Sequence, residues 1–169
     1  AKKFGHKIIP NSPALVPFKV QGFQNLAGNS YVAKVSCQGK SIKEDVLFTH
    51  KGLSGPAILK ISLYWEPGNE IKIDWLSENS FQELLERTPG SSKTIKFLNQ
   101  HFSGKFSELI LENLNISQVS NLADLNKNEF EKLQTFLKEF TFIPEGTEGF
   151  RKAEVTKGGV DTHQVSSKT

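Results

Sequence analysis

Four histidines and a single cysteine are the residues best suited to ligate a metal or move a proton near neutral pH. His6, His50, His101 and His163 are scattered over the chain, and no Cys-x-x-Cys or His-Glu-x-x-His run links any of them. No metal site is therefore expected. Cys37 sits on an alternating segment, where a thiol packs as a small hydrophobe. Ser54 lies in Gly52-Leu53-Ser54-Gly55-Pro56, which lacks the second glycine of a nucleophile elbow. There is no Walker run and no Gly-x-Gly-x-x-Gly, hence no ready cradle for a pyrophosphate. The Gly-x-x-Gly of residues 52–55 has only Lys51 beside it, and a nucleic-acid clamp of that type is usually more basic. The catalytic residues stay unknown at this level.

Two stretches are richer than a plain turn requires. Leu47 to Ala57 packs a strand end, His50, two glycines and a helix start into one run. Backbone donors at such a start favour an anionic ligand group; a tight strand-to-helix turn needs the same glycines. His50, Ser54 and Gly55 are the substrate-proximal candidates. The second stretch is Ala153-Glu154-Val155-Thr156-Lys157-Gly158-Gly159-Val160. A strand entering Gly-Gly lets a backbone approach something flat, or simply turns.

The elements that must position these residues follow from periodicity. Residues 15–76 read as short strands, with alternation at Val16/Phe18/Val20, Tyr31/Ala33/Val35/Cys37 and Ile71/Ile73/Trp75. One helix starts at Pro56, after Gly55. From 77 to 138 the period becomes helical. Ser80 with Glu83 and Asn126 with Glu129 have capping-box spacing. Four stripes follow, through Phe81/Leu84/Leu85, Ile95/Leu98/Phe102, Phe106/Leu109/Ile110/Leu114 and Phe130/Leu133/Leu137. They predict a four-helix bundle with one shared core. Strand texture returns over 139–152. The fold class is α+β: a small β-barrel subdomain of the translation-protein-like kind, carrying an inserted helical bundle.

Composition narrows the classes. Of the 169 residues 37% are hydrophobic and 23% charged, enough for a core and too apolar for wholesale disorder. A net charge of +3 is thin for a dedicated nucleic-acid binder, so that partner is not expected. One cysteine suits a reducing, cytoplasmic setting. No apolar run approaches the ~18 residues of a membrane span. The chain has no methionine and opens on Ala1-Lys2-Lys3-Phe4-Gly5-His6, which reads as a helix end and suggests an excised piece of a longer protein.

Three segments carry a family resemblance: Phe4-Gly5-His6-Lys7-Ile8 with Pro13-Ala14-Leu15-Val16-Pro17, then Leu47–His50 with Gly52–Ala57, then Ala153–Thr156 with Gly158-Gly159-Val160. They resemble, in order, segments of the BaiN/YhiN-like, or aminoacetone-oxidase-like, bacterial FAD-dependent oxidoreductases. The resemblance implies a two-part flavin domain interrupted by a barrel-and-helix insert, and this chain looks like the insert. Residues 1–14 and 153–169 would be flanks of the flavin domain, with their ends close together. Residues 15–76, 77–138 and 139–152 would be barrel, helical bundle and returning strand. Thr156, Gly158, Gly159 and Val160 would lie toward the FAD.

The implied function is that of an insert covering the flavin site of an FAD-dependent oxidoreductase and shaping access for a small-molecule substrate. The implied electron donor is NAD(P)H. The insert's partner would be the flavin domain of the same parent chain, with no membrane contact. The isolated piece would be inactive and without FAD. The alternative is a non-enzymatic small-barrel module that binds RNA or a protein.

Overall fold

The computed structural model describes residues 2–77 and 80–164. Strands β1 (Ile8–Ala14) and β9 (Val155–Val160) pair antiparallel as a separate two-stranded ribbon. Ile8 stands opposite Val160 and Ala14 opposite Val155, so residues 8–14 and 155–160 run side by side.

Between them lies a seven-stranded antiparallel sheet. It is built of β2 (Phe18–Lys19), β3 (Ser30–Cys37), β4 (Lys40–Thr49), β5 (Gly52–Ser54), β6 (Ile71–Asp74), β7 (Phe140–Phe142) and β8 (Gly146–Thr147). Its order is β7-β6-β3-β4-β5-β2-β8. The alternation read from the sequence is real: Ala33, Val35 and Cys37 face inward with Val46 and Phe48 of β4 and Ile71 and Ile73 of β6. Helix α1 (Pro56–Ile61) packs Ala57, Ile58 and Ile61 into the same interior. Pro56 occupies its first turn, where the missing amide hydrogen has no intrahelical role.

Four further helices follow: α2 (Phe81–Glu86), α3 (Thr94–Leu98), α4 (Gly104–Leu114) and α5 (Lys127–Glu139). They do not form a four-helix bundle. The first two are six and five residues long, too short for a stripe running the length of a bundle. The helices also have no core of their own, because their apolar faces continue the barrel interior. Phe106 of α4 stands edge-on to Phe48 at 5.2 Å and to Trp75 at 5.2 Å. The Trp75 amide donates to the Leu137 carbonyl of α5 at 2.9 Å. The helices therefore close one side of the barrel.

Helix starts and faces correct the pattern in detail. Asn126 and Glu129 form the expected reciprocal cap, at 3.0 and 2.9 Å. Ser80 begins α2, but its side chain makes no capping bond. On α4 the fully buried apolar residues are Phe106, Ile110 and Leu111, with Leu109 only half-buried. Phe106 and Ile110 of the expected stripe are buried, Leu109 and Leu114 form its half-buried edge, and Leu111 joins the core as well, because α4 packs on both the barrel and α5. Among the described residues no helix is long and apolar enough to cross a membrane.

Candidate functional site

The 47–57 stretch folds as a strand, a two-residue corner, a short strand and a helix start. His50 and Lys51 form the exposed corner between β4 and β5. Thr49 Oγ1 accepts the Lys51 amide at 3.3 Å and donates to the Gly52 carbonyl at 3.2 Å, which holds the corner closed. Lys51 pairs with Glu148 at 3.3 Å. His50 borders a shallow cavity of about 340 Å³ with Lys19, Gln21, Gln24 and Glu145.

The two glycines of this stretch are occupied by the fold. A Cβ at Gly52 would lie 2.4 Å from the Phe18 carbonyl oxygen and the Val20 nitrogen, so β5 can pair with β2 only through glycine. A Cβ at Gly55 would lie 2.7 Å from the Asp45 carbonyl oxygen and 2.8 Å from the Leu47 nitrogen, at φ +89°. The start of α1 thus lies against β4, and α1 is only six residues long. Ser54 is half-buried opposite Leu47 in the β4–β5 ladder. His50 stands on the solvent-facing corner, whereas Gly55 is buried under β4.

The second stretch is strand β9. Thr156 pairs with Pro13 and is exposed, Gly159 pairs with Ile9, and Val160 is 39% exposed. The register slips between Ile9 and Ser12, a bulge that brings the Pro10 carbonyl against Gly158. A Cβ on Gly158 would lie 2.4 Å from that oxygen. The close approach at Gly158 is therefore to its own ribbon. At Gly159 no atom lies within 4 Å of the side-chain position, which leaves a flat strip of backbone. Lys157 reaches the other way and donates to the Leu63 carbonyl at 3.2 Å, tying the ribbon to the end of α1.

Ribbon and barrel enclose the widest of these cavities, about 540 Å³, walled by Pro10, Pro13, Trp65, Pro67, Pro144 and Lys157. Ser62 lies at its base and bridges the two parts, accepting the Val16 amide at 3.1 Å and donating to the Leu59 carbonyl at 2.7 Å. At the ribbon's end Asp161, 8% exposed, takes an ion pair from Lys7 at 3.4 Å and accepts the His163 amide at 3.1 Å. None of these residues stands out in the sequence, because their meeting depends on the β1–β9 register.

A further cavity, at the junction of barrel and helices, is lined by Tyr31, Trp75, Ser77, His101 and Phe102. Periodicity places these residues on separate elements, and the sequence offers His101 only as a candidate metal ligand.

Comparison with known proteins places the chain. Residues 12–155 match a family model described as the HI0933-like protein barrel and H2TH domain. The whole chain is similar to the ribosomal RNA dihydrouridine synthase of Haemophilus influenzae, at 39% identity over 44% of that protein. It is similar to the ribosomal RNA dihydrouridine synthase of Escherichia coli, at 36% identity over 44% of that protein. Over 98% of its length it is 30% identical to 45% of a 3-dehydro-bile acid delta(4,6)-reductase of Clostridium scindens. The chain spans less than half the length of these curated relatives. It belongs to the HI0933-like family, of which residues 12–155 are the barrel and H2TH domain.

Proposed function

We propose that this chain is the barrel-and-helix part of an FAD-dependent oxidoreductase that reduces uridine in ribosomal RNA. The observation that carries the reading is end-to-end similarity, at 39% and 36%, to two proteins named ribosomal RNA dihydrouridine synthase. Turning uridine into dihydrouridine adds two electrons and two protons across one ring double bond. In this reading NAD(P)H is the electron donor and the substrate is an RNA in the cytoplasm. In this reading RNA takes the place of a small molecule as the substrate.

Residues 1–14 and 153–169 are read as flanks of the flavin domain, and the β1–β9 pairing supports that by bringing both to one place. The chain's own residues do not fit a complete FAD site. The described residues include no glycine-rich loop opening a long helix, and the open side of Gly158 is taken by Pro10. Of the two glycines of β9, Gly159 is the one with room beside it for a flat group. The barrel and helices act as a cover that guides substrate toward the flavin domain.

The test uses the complete protein. Ribosomal RNA from cells lacking the gene is incubated with protein, FAD and NADPH, digested, and analysed by mass spectrometry for uridine heavier by two hydrogens. Its appearance supports the reading. Unchanged RNA, with reduction of a conjugated steroid ketone instead, favours a small-molecule reductase such as the third relative is named for.

A further inference from the structure

Strand β8 ends the order of the sheet next to β2, and the shallow hollow of about 340 Å³ lies at that edge, walled by Lys19, Gln21, Gln24, His50, Lys51 and Glu145. Lys19 stands between Gly52 of β5 and Gly146 of β8. Neither neighbour has a side chain, so nothing directly across either strand neutralises its ammonium. Lys51 is paired with Glu148 at 3.3 Å. Glu145 accepts the Gln21 side-chain amide at 3.3 Å, and Gln21 in turn accepts that of Gln24 at 2.7 Å. The hollow therefore keeps one lysine without an ion pair, Lys19, and one exposed imidazole, His50.

Glu148 also begins a turn, residues 148–154, that the barrel pins at both ends. The Glu148 amide donates to the Pro17 carbonyl at 2.9 Å and the Glu154 amide to the Leu15 carbonyl at 3.1 Å. Inside the turn the Gly149 carbonyl accepts the Lys152 and Ala153 amides at 3.0 and 3.2 Å, with Gly149 at φ +76°. Phe150, Arg151 and Lys152 are all exposed, Phe150 by 57%. A lone exposed phenylalanine is ordinary; the two cations that follow it are the particular feature. Among the described residues neither Arg151 nor Lys152 has an ion-pair partner. Glu154, also exposed, is the acid of the turn that Lys51 does not take. An open aromatic face with adjoining cations, fixed beside a hollow with a free lysine, has the parts of a surface that holds single-stranded nucleic acid.

We propose that this edge, from Lys19 to Phe150, is a track for single-stranded RNA. One base stacks on the Phe150 ring, the flanking phosphates lie against Arg151 and Lys152, and the strand continues to Lys19 and His50 in the hollow. Every base has a π-face, so this contact holds a strand without choosing its sequence. Glu145 and Glu154 keep the positive excess of the edge small, so stacking carries more of the affinity than counterion release. The turn runs directly into β9 at Val155, which sets the track at the base of the ribbon. The inference rests on the RNA reading above and adds where the chain holds the strand.

The probe is a fluorescein-labelled oligouridylate, titrated into the complete protein by anisotropy over a salt series. Phe150→Ala is expected to weaken binding roughly tenfold, and Phe150→Trp to retain it. Arg151→Gln with Lys152→Gln is expected to flatten the log–log salt dependence by about 1.4, and Lys19→Gln by about 0.7, at about 0.7 per phosphate contact in a single strand. All four side chains are exposed, so thermal melting is expected to match wild type. As a readout that needs no variant, an oligomer carrying 4-thiouridine is expected to crosslink to Phe150. No binding by the unaltered protein, wild-type affinity and salt slope in all variants, or crosslinks confined to other surfaces would overturn the track. So would a Phe150→Ala protein that melts lower and sheds FAD yet binds oligouridylate normally, because the flavin domain would then cover the turn. The dihydrouridine assay separates the two claims. If RNA is reduced while the variants bind normally, the track falls and the RNA reading stands. If oligouridylate binds here but no dihydrouridine forms, the track stands and the assigned reaction falls.

Discussion

Tyr31 and Ser103, 72 residues apart, exchange two hydrogen bonds: the tyrosine hydroxyl donates to Ser103 Oγ at 2.9 Å and accepts the Ser103 amide at 2.9 Å. Ser103 is the N-cap of α4, and its Oγ also accepts the Phe106 amide at 3.4 Å. A strand residue of the barrel thus completes the cap of a helix. The Tyr31 ring lies 5.3 Å from Phe106 and 6.1 Å from Phe48, so barrel and helices are joined by polar and apolar contacts at one point.

Tyr31→Phe keeps the ring and removes both bonds, leaving the half-buried Ser103 amide without its partner. The expected loss is about 1–3 kcal/mol in urea unfolding. A variant as stable as the parent would show that water replaces the hydroxyl.

Ile110→Ala and Leu109→Ala compare the centre and the edge of the apolar face of α4. Ile110 is fully buried and should cost about 2–5 kcal/mol. Leu109, half-buried over a shallow hollow near Leu26, should cost clearly less. The reverse order would place Leu109, and not Ile110, at the centre of that face.

Gly158→Ala places a methyl 2.4 Å from the Pro10 carbonyl oxygen at φ +102°, with backbone on the receiving side. The ribbon must part locally, and strain of about 1–3 kcal/mol is expected. Hydrogen exchange should accelerate at Ile9 and Lys157 while β3 and β4 stay protected. Unchanged protection across the ribbon would contradict the tight register.

Acid should destabilise the protein through His101. The unfolded chain protonates this residue near 6.5, whereas burial holds the folded imidazole lower. Below about pH 6.5 the unfolded state therefore binds more protons, and stability falls as pH drops toward the folded value. His101→Gln should lack this component, so its stability relative to wild type should improve from pH 7.5 to 5.5. A difference independent of pH would refute the desolvated imidazole.

The chain by itself should be colourless. Isothermal titration with FAD is expected to show no stoichiometric binding, since the strip at Gly159 offers a surface and no cradle for the pyrophosphate. A yellow preparation would mean that these residues hold more of the cofactor than their geometry suggests.

Local chemistry alone determined much of the architecture. The alternation in Tyr31–Cys37 and Ile71–Trp75, Pro56 after Gly55, and the Asn126/Glu129 cap each depend on residues within a few positions, where period and propensity decide. The order of strands, helices and strands was legible for the same reason. The absence of a separate bundle core was not. Whether Phe106 meets another helix or the Phe48–Trp75 stack depends on which apolar faces the closed sheet leaves uncovered. Burial of Gly52 and Gly55 against β2 and β4 likewise needed the strand order. Tyr31, Trp75, Ser77 and His101 come from three parts of the chain, and each reads alone as an ordinary core or turn residue. Only the packing of Phe102 and of Phe106 on α4 against Tyr31 and Trp75 brings these residues around one cavity, because side-chain convergence is a property of tertiary contacts that no local period records.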